Sequence, residues 1–247
     1  MVRLAISGIC GRMGNSIGLL AVKDKGFEIV AGLESPDNPA IGKDIGEVLS
    51  IAKIGKNVEA DFSKIAGGCE VLVEFTTPVA TMRHLETAVK KKIGMVIGTT
   101  AFSSREIEEI KKASLKIPIV FSPNMSIGAN LLFKITEELS KALGKDYKIH
   151  IVETHHRNKK DAPSGTAKRL GEAVLKVTGE MPPIKSIREG EVVGDHSISF
   201  SGDVETIEIT HRAHSRDAFA KGALGAARFV AGKKPGLYTM YDVIGKV

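Results

Sequence analysis

Short, nearly continuous apolar runs alternate along the first half of the chain with longer segments whose apolar residues recur at helical spacing. Val2-Arg-Leu-Ala-Ile-Ser7 reads as a strand, and Ile17, Leu20, Ala21 and Val22 mark a helix after it. Phe27 to Glu34, Val71 to Thr76, Met95 to Thr100 and Ile117 to Ser122 read as further strands. Thr77-Pro78 opens one intervening helix and Phe102-Ser-Ser another, which runs to about Leu115. The Pro- and Gly-rich stretch from Ser35 to Glu47 is expected to be irregular. Strands without polar alternation, separated by helices, predict an α/β fold built on a doubly wound parallel sheet.

The second half changes rhythm. Ser126 to Leu143 reads as a long helix with Leu131, Leu132, Ile135, Leu139 and Leu143 on its apolar side. Lys148 to Glu153 alternates like a strand, and Ser164 can cap a helix that continues through Val177. After the break at Met181-Pro-Pro183, residues 184–188, 196–200 and 205–210 predict an antiparallel or mixed sheet. A helix over about 217–231 resembles those of the first half. The spacing therefore predicts that the chain returns to its first domain there and finishes against the sheet. The expected division is residues 1–126 with 215–247, and a smaller α+β domain over 127–214.

The turn after the first strand, Gly8-Ile-Cys-Gly-Arg-Met-Gly14, has the strand–glycine turn–helix order of a dinucleotide site. Gly8 would permit the tight turn, Gly11 the approach of a pyrophosphate, and Gly14 close packing of helix on strand. The GxxGxxG spacing is a weak fingerprint on its own. Arg12 could face a phosphate, or simply be solvated. Glu34 ends the second strand, where an acid binds a ribose hydroxyl, and Ser35 after it offers no cation for a 2′-phosphate. Gly98-Thr99-Thr100 and Ser122-Pro123-Asn124-Met125 fall at strand carboxyl ends, where such sheets bind ligands; the plain alternative is a strand-to-helix turn.

The densest chemistry lies in Glu153-Thr-His-His-Arg-Asn-Lys-Lys-Asp-Ala-Pro-Ser-Gly-Thr166. Two histidines, an arginine and two lysines stand between a strand and a helix start whose N–H groups at Gly165 and Thr166 suit a carboxylate or phosphate. A solvated charge run is the ordinary reading of such a loop; an anionic ligand is the sharper one.

Composition narrows the choice. The 247 residues are 43% hydrophobic and 26% charged, with a formal net charge of +6, no Trp and three Tyr. A basic chain without aromatic platforms or a basic helix-turn-helix pattern favours a small acidic molecule over nucleic acid. Cys10 and Cys69 have no metal-ligand spacing and flank apolar strands, so buried reduced thiols in a reducing cytoplasm are expected, and no metal. No apolar run reaches membrane-spanning length and no leader is read at the start.

Gly8…Gly11-Arg12-Met13-Gly14, Val96-Ile-Gly-Thr-Thr100, Glu153…His155-His156-Arg157…Lys159…Asp161-Ala-Pro-Ser-Gly-Thr166, Gly194-Asp-His196, Ile209-Thr-His-Arg-Ala-His-Ser-Arg216, Phe219-Ala-Lys-Gly-Ala223 and Lys234-Pro-Gly-Leu-Tyr238 together resemble the dihydrodipicolinate (4-hydroxy-tetrahydrodipicolinate) reductase family of lysine and diaminopimelate biosynthesis. The resemblance runs along nearly the whole chain. It implies His155 as the acid/base residue and Lys159 as proton donor, with His156, Gly165 and Thr166 binding substrate carboxylates. It implies that Gly8, Ile9, Cys10, Gly11, Arg12, Met13, Glu34, Gly98, Thr99, Thr100, Ser122, Pro123, Asn124 and Met125 hold NADH or NADPH. It further implies a Rossmann-type dinucleotide domain, a substrate and tetramerisation domain, and a homotetramer. Two other classes compete: another NAD(P)-dependent amino-acid or keto-acid dehydrogenase of the same plan, which has no evident need for so dense a cationic loop, and a non-enzymatic redox-sensing or nucleic-acid-binding protein, which rests on the charge alone.

Overall fold

The structure, a computed structural model, describes residues 1–245; Lys246 and Val247, the end of the segment expected to close the first domain, lie outside the described residues. In chain order the elements are β1 (Val2–Ser7), α1 (Arg12–Lys23), β2 (Phe27–Leu33), α2 (Ile45–Val48), β3 (Val58–Glu59), α3 (Phe62–Ile65), β4 (Val71–Glu74), α4 (Pro78–Lys91), β5 (Gly94–Ile97), α5 (Ser104–Ser114) and β6 (Pro118–Phe121). They continue with α6 (Ile127–Leu143), β7 (Lys148–His155), α7 (Gly165–Thr178), β8 (Ile184–Arg188), β9 (Asp195–Ser201), β10 (Thr206–Arg212), α8 (Asp217–Val230), β11 (Gly236–Tyr238) and α9 (Met240–Ile244). Two compact units emerge, Met1–Met125 with Phe219–Val247, and Ser126–Ala218.

The first unit holds a seven-stranded sheet in the order β11-β6-β5-β4-β1-β2-β3, parallel at every pairing. Its central strands are buried on both faces: Leu4, Ala5, Ile6, Val71, Leu72, Val73, Val96 and Ile97 are all 0% exposed. That is why they read as unbroken apolar runs. Strand order reverses between β1 and β4, so the carboxyl ends of these strands open the crevice where doubly wound sheets take ligands. Helix starts follow local chemistry: Pro78 opens α4 after the Thr77 cap, and Ser103 with Glu106 forms a capping box on α5.

The stretch over 35–47 carries no helix or strand up to Lys43, as its composition suggested, and only its end, from Ile45, is helical. Asp44 caps α2 and its carboxylate accepts from the N–H groups of Gly46, Ile54 and Gly55, which organises the loop around one buried acid. Cys69 is buried as expected, but Cys10 is exposed, because it lies past the end of β1 in the turn rather than against the sheet.

Helix α8 enters the first unit so closely that Gly222 cannot be enlarged. A Cβ there would lie 1.7 Å from the Met125 carbonyl oxygen. Gly222→Ala is expected to lower stability by about 1–3 kcal/mol or more, as overpacking does, read as a lower urea midpoint. An unchanged midpoint would show that α8 can move away.

The second unit is a four-stranded mixed sheet in the order β10-β9-β7-β8, with β8 parallel to β7 and β9 antiparallel to both β7 and β10. Ile151, Ile198 and Phe200 point to the buried face, and α6 and α7 pack together beside β10 and β7. The opposite face is polar, with His150, Ser197, Ser199, Glu208 and Thr210. No helix among the described residues is long and apolar enough to cross a membrane.

Candidate active site

In the first unit a cavity of about 630 Å³ opens at the carboxyl ends of β1, β2 and β4. Ser7, Gly8, Gly11, Glu34 and Ser35 line it, together with Phe75, Thr76, Arg83 and His84. The glycine turn could not be built from other residues. Gly8 has φ +79°, and a Cβ on it would meet the Phe75 carbonyl oxygen at 2.6 Å. Gly14 has its Cβ position 2.0 Å from the Gly8 carbonyl oxygen, so α1 starts directly against the turn. Gly11 is the N-cap of α1 and no side chain caps it, which leaves the helix N-terminus open to an anion. The Glu34 carboxylate accepts from the Cys10 N–H at 2.8 Å and the Ser35 N–H at 3.3 Å, which holds it at the cavity wall. A bare helix start, glycines at the closest approach and a positioned carboxylate fit the phosphates and a ribose of a dinucleotide.

The sequence-predicted residues divide by what they expose. Cys10 and Arg12 are exposed, Met13 is half-buried, and Ile9 is sealed in the core so that only its backbone faces the turn. Gly98, Thr99 and Thr100 follow β5, and Ser122, Pro123, Asn124 and Met125 follow β6, the adjacent strand. A Cβ at Gly98 would sit 2.3 Å from the Phe75 ring. Thr99 spends its hydroxyl on the fold, accepting from the Thr76 N–H at 3.0 Å, and the Ser122 hydroxyl donates to the Asn124 carbonyl at 2.8 Å. These segments therefore offer backbone more than side chains. Sequence reasoning did not single out the buried Glu74, which accepts from the Thr76 hydroxyl and pairs with His84 Nδ1 at 2.7 Å behind the cavity wall.

In the second unit, alternation along β7 carries on past the expected end at Glu153, so His155 stands on the last position of a strand and not in the loop. Ile151, Glu153 and His155 face inward in turn. Register then builds a polar end to an apolar face. Ile209, Ile198 and Ile151 form one row, His211, His196 and Glu153 the next. Glu153 is 0% exposed, and both its oxygens are engaged. Arg188 of β8 donates to Oε1 at 2.8 Å and to Oε2 at 3.0 Å; the Ser164 N–H reaches Oε1 at 3.2 Å, and His155 Nδ1 bonds Oε2. Burial alone would raise the Glu153 carboxyl, but Arg188, Ser186, His155 and the Ser164 N–H together hold it down at about 2.

Burial pushes His155 below the ordinary histidine value against the opposing pull of Glu153, with the Lys159 and Arg188 charges acting in the same downward direction as burial. His155 Nε2 has no hydrogen-bond partner among the described residues, and a Cβ at Gly194 would lie 3.0 Å from it. His196 packs its ring edge-on to His155 with centroids 5.1 Å apart, and its Nε2 is 3.1 Å from the Ser164 hydroxyl. Burial, then the neighbouring His155 and His211, press His196 down to about 3, so it is neutral at physiological pH.

The loop beyond β7 is pinned at its start. The His156 N–H donates to the Val192 carbonyl at 2.8 Å and the Lys159 N–H to the His156 carbonyl at 3.1 Å. Lys159 Nζ donates to Asp161 at 2.7 Å. Ser164 caps α7, as expected, and Gly165 and Thr166 form its first turn; a Cβ on Gly165 would meet only open space. His155, His156, Lys159, Gly165 and Thr166 thus belong to one strand-to-helix connection. Glu153, Arg188, Gly194 and His196 surround it; Gly194 and His196 stood in the resembling motifs without a role, and Arg188 carried no local signal. Glu153, His155 and His196 offer ligand atoms within 4.8 Å of one another, but the guanidinium already on both Glu153 oxygens repels a cation there.

Comparison with known proteins adds the following. Residues 2–125 match the family described as dihydrodipicolinate reductase, N-terminus, and residues 128–244 match dihydrodipicolinate reductase, C-terminus. A 4-hydroxy-tetrahydrodipicolinate reductase of Geotalea daltonii is 39% identical over 265 aligned positions, covering 99% of both chains. One of Geobacter metallireducens is 40% identical with the same coverage. Among solved structures, a dipicolinate-bound dihydrodipicolinate reductase from Paenisporosarcina sp. TG-14 superposes with a TM-score of 0.82 at 24% identity, covering 97% of each chain.

Proposed function

This chain belongs to the dihydrodipicolinate reductase family, and from that premise we propose that it reduces 4-hydroxy-tetrahydrodipicolinate to tetrahydrodipicolinate, in the diaminopimelate route to lysine, with NADH or NADPH. The observation that carries the reading in the structure is the β7–α7 connection, which brings His155, His156, Lys159 and the first turn of α7 into one segment that starts at the buried Glu153.

The first unit would hold the dinucleotide: Gly8, Ile9, Cys10, Gly11, Arg12 and Met13 at the phosphates, Glu34 at the adenosine ribose, and Gly98 to Thr100 with Ser122 to Met125 at the nicotinamide end. When bound, NADH or NADPH supplies a hydride. The chain supplies the rest. Two substrate carboxylates call for His156 and the N–H groups of Gly165 and Thr166. Negative charge that develops on the conjugated imine is met by the Lys159 ammonium, which Asp161 holds in place. Loss of the 4-hydroxyl with a neighbouring carbon-bound proton, as water, gives the conjugated imine; after hydride adds to it, Lys159 gives the one proton that balances the hydride, with His155 as the acid/base group beside it. His155 Nε2 is the ring atom left for this work, since Nδ1 is spent on Glu153.

Mixing the protein with NADH and enzymatically generated cyclic dicarboxylate is expected to deplete the reduced-nicotinamide absorbance, and no depletion with either nucleotide would overturn the reading. NADH is expected to bind at least as tightly as NADPH, because Glu34 repels a 2′-phosphate and Ser35 does not offset it. Glu34→Gln should then improve NADPH relative to NADH. A large native preference for NADPH in the titration would refute this.

The family resemblance also supports a cytoplasmic homotetramer, assembled through the polar outward face of the four-stranded sheet. Light scattering that returned a monomer at working concentration would rule it out.

A further inference from the structure

We propose that Arg188 is a positioning residue of the reaction, holding the acid/base histidine and the proton-donor lysine in one geometry through two separate contacts. The inference rests on the roles proposed above for His155 and Lys159. It concerns a residue whose described contacts are all with the protein itself.

Arg188 ends β8, 35 positions beyond Glu153, and strand register sets it beside His155. Its guanidinium makes two kinds of bond. On one side Nη1 and Nη2 grip both oxygens of Glu153, at 3.0 and 2.8 Å. The same carboxylate takes His155 Nδ1, so the ring is held with Nδ1–H donated and Nε2 carrying the lone pair. On the other side Nη2 donates to the Asp161 carbonyl at 2.6 Å, and the Asp161 side chain holds Lys159 Nζ at 2.7 Å. Lys159 is thus tied to Arg188 through one residue of loop, and His155 through one carboxylate. Glu153 also receives the Ser164 N–H, which brings the start of α7 into the same assembly. A third contact, from Nη1 to the Ile187 carbonyl at 2.7 Å, fixes the guanidinium in its own strand.

Planarity matters here. A guanidinium can serve a carboxylate and a carbonyl at fixed angles, whereas an ammonium offers a single point of charge. Arg188→Lys therefore keeps the charge beside Glu153 but loses one of the two connections. A displacement of about 1 Å at reacting groups can cost on the order of 10²-fold in rate.

The test uses three variants of the full chain: Arg188→Lys, Arg188→Met, and Glu153→Gln combined with Arg188→Met. The last removes both buried charges together, so a lone buried carboxylate cannot be the reason for misfolding. Turnover, the Michaelis constant for the cyclic dicarboxylate, the NADH dissociation constant and the nitrogen-15 spectrum of the His155 ring are measured on folded protein. Turnover is expected to fall about 10²-fold in both Met variants and roughly tenfold in Arg188→Lys, with NADH affinity within about twofold of wild type. The ring spectrum should move from the Nδ1–H form toward the Nε2–H form in the double variant, where the carboxylate is gone. If folded variants turn over within about twofold of wild type, or if the ring tautomer is unchanged in the double variant, Arg188 holds only the strand and the proposal fails. An inactive wild-type protein would instead refute the reductase reading, and the ring spectrum would still decide whether Glu153 and Arg188 set the state of His155.

Discussion

Lys159→Ala and His155→Ala are each expected to lower turnover by roughly 10²–10⁴-fold, the range a positioned general acid contributes, while NADH affinity stays within about twofold. Both residues lie in the second unit, and the glycine turn with Glu34 lies in the first. Losing either leaves the nucleotide cavity unaltered. The two losses should not multiply in the double variant, because both groups answer the same developing charge. His156→Ala should mainly raise the Michaelis constant for the dicarboxylate. Lys160 is the internal control: it is adjacent, equally cationic and exposed, and no described contact holds it in place as Asp161 holds Lys159. Steady-state kinetics with a nucleotide titration decides the matter. If Lys160→Ala lost as much turnover as Lys159→Ala, the loop would act only as a general positive field and the assignment of Lys159 would fall.

Acidification is expected to destabilise the protein well before ordinary carboxylates titrate. His196 accepts a proton near 6.5 when unfolded but only near 3 when folded, because its ring is buried beside two other histidines. Between those values the unfolded chain binds more protons, so stability falls as pH drops through the window. At about 1.4 kcal/mol per pH unit, His196 alone accounts for a loss on the order of 5 kcal/mol by the bottom of the window. Glu153 acts with the same sign lower down: unfolded, it protonates near 4.5, and folded, near 2, which removes roughly a further 3 kcal/mol between those values. Circular dichroism melts from about pH 8 to about pH 4 should show a midpoint that is flat above 6.5 and drops steeply below. His196→Phe, which cannot titrate, should flatten the upper part of the drop. A midpoint independent of pH between 6.5 and 4.5 in the native protein would contradict the assignment.

Local signals carried far in this chain. The unbroken apolar runs at 71–73 and 95–97 are what two-sided burial requires, and the parallel sheet follows from them. Ser103, Ser126 and Ser164 each cap a helix, because a hydroxyl at that position satisfies an N–H that the helix cannot. Gly8 and Gly14 were legible for a similar reason: a turn between a buried strand and a helix packed on it leaves no room for a Cβ. The family motif was legible because its residues sit within one connection.

What lay outside reach shares one cause. Glu153 stood in the resembling motif without a role, and Arg188 carried no local signal. Only the pairing of β7 with β8 puts them on the same buried face, where each makes the other tolerable. His196 and Gly194 reach His155 through β9, and a slip of one residue in that register would turn His196 to the opposite face and leave Glu153 without its neighbour. Cys10 looked like a core thiol because apolar residues precede it, and the turn carries it into solvent. Period, caps and glycine spacing are properties of neighbouring residues, so the order of residues suffices to determine them. Register, burial of charge and the protonation of His155 and His196 depend on which distant strands meet, and the tertiary structure alone decided them.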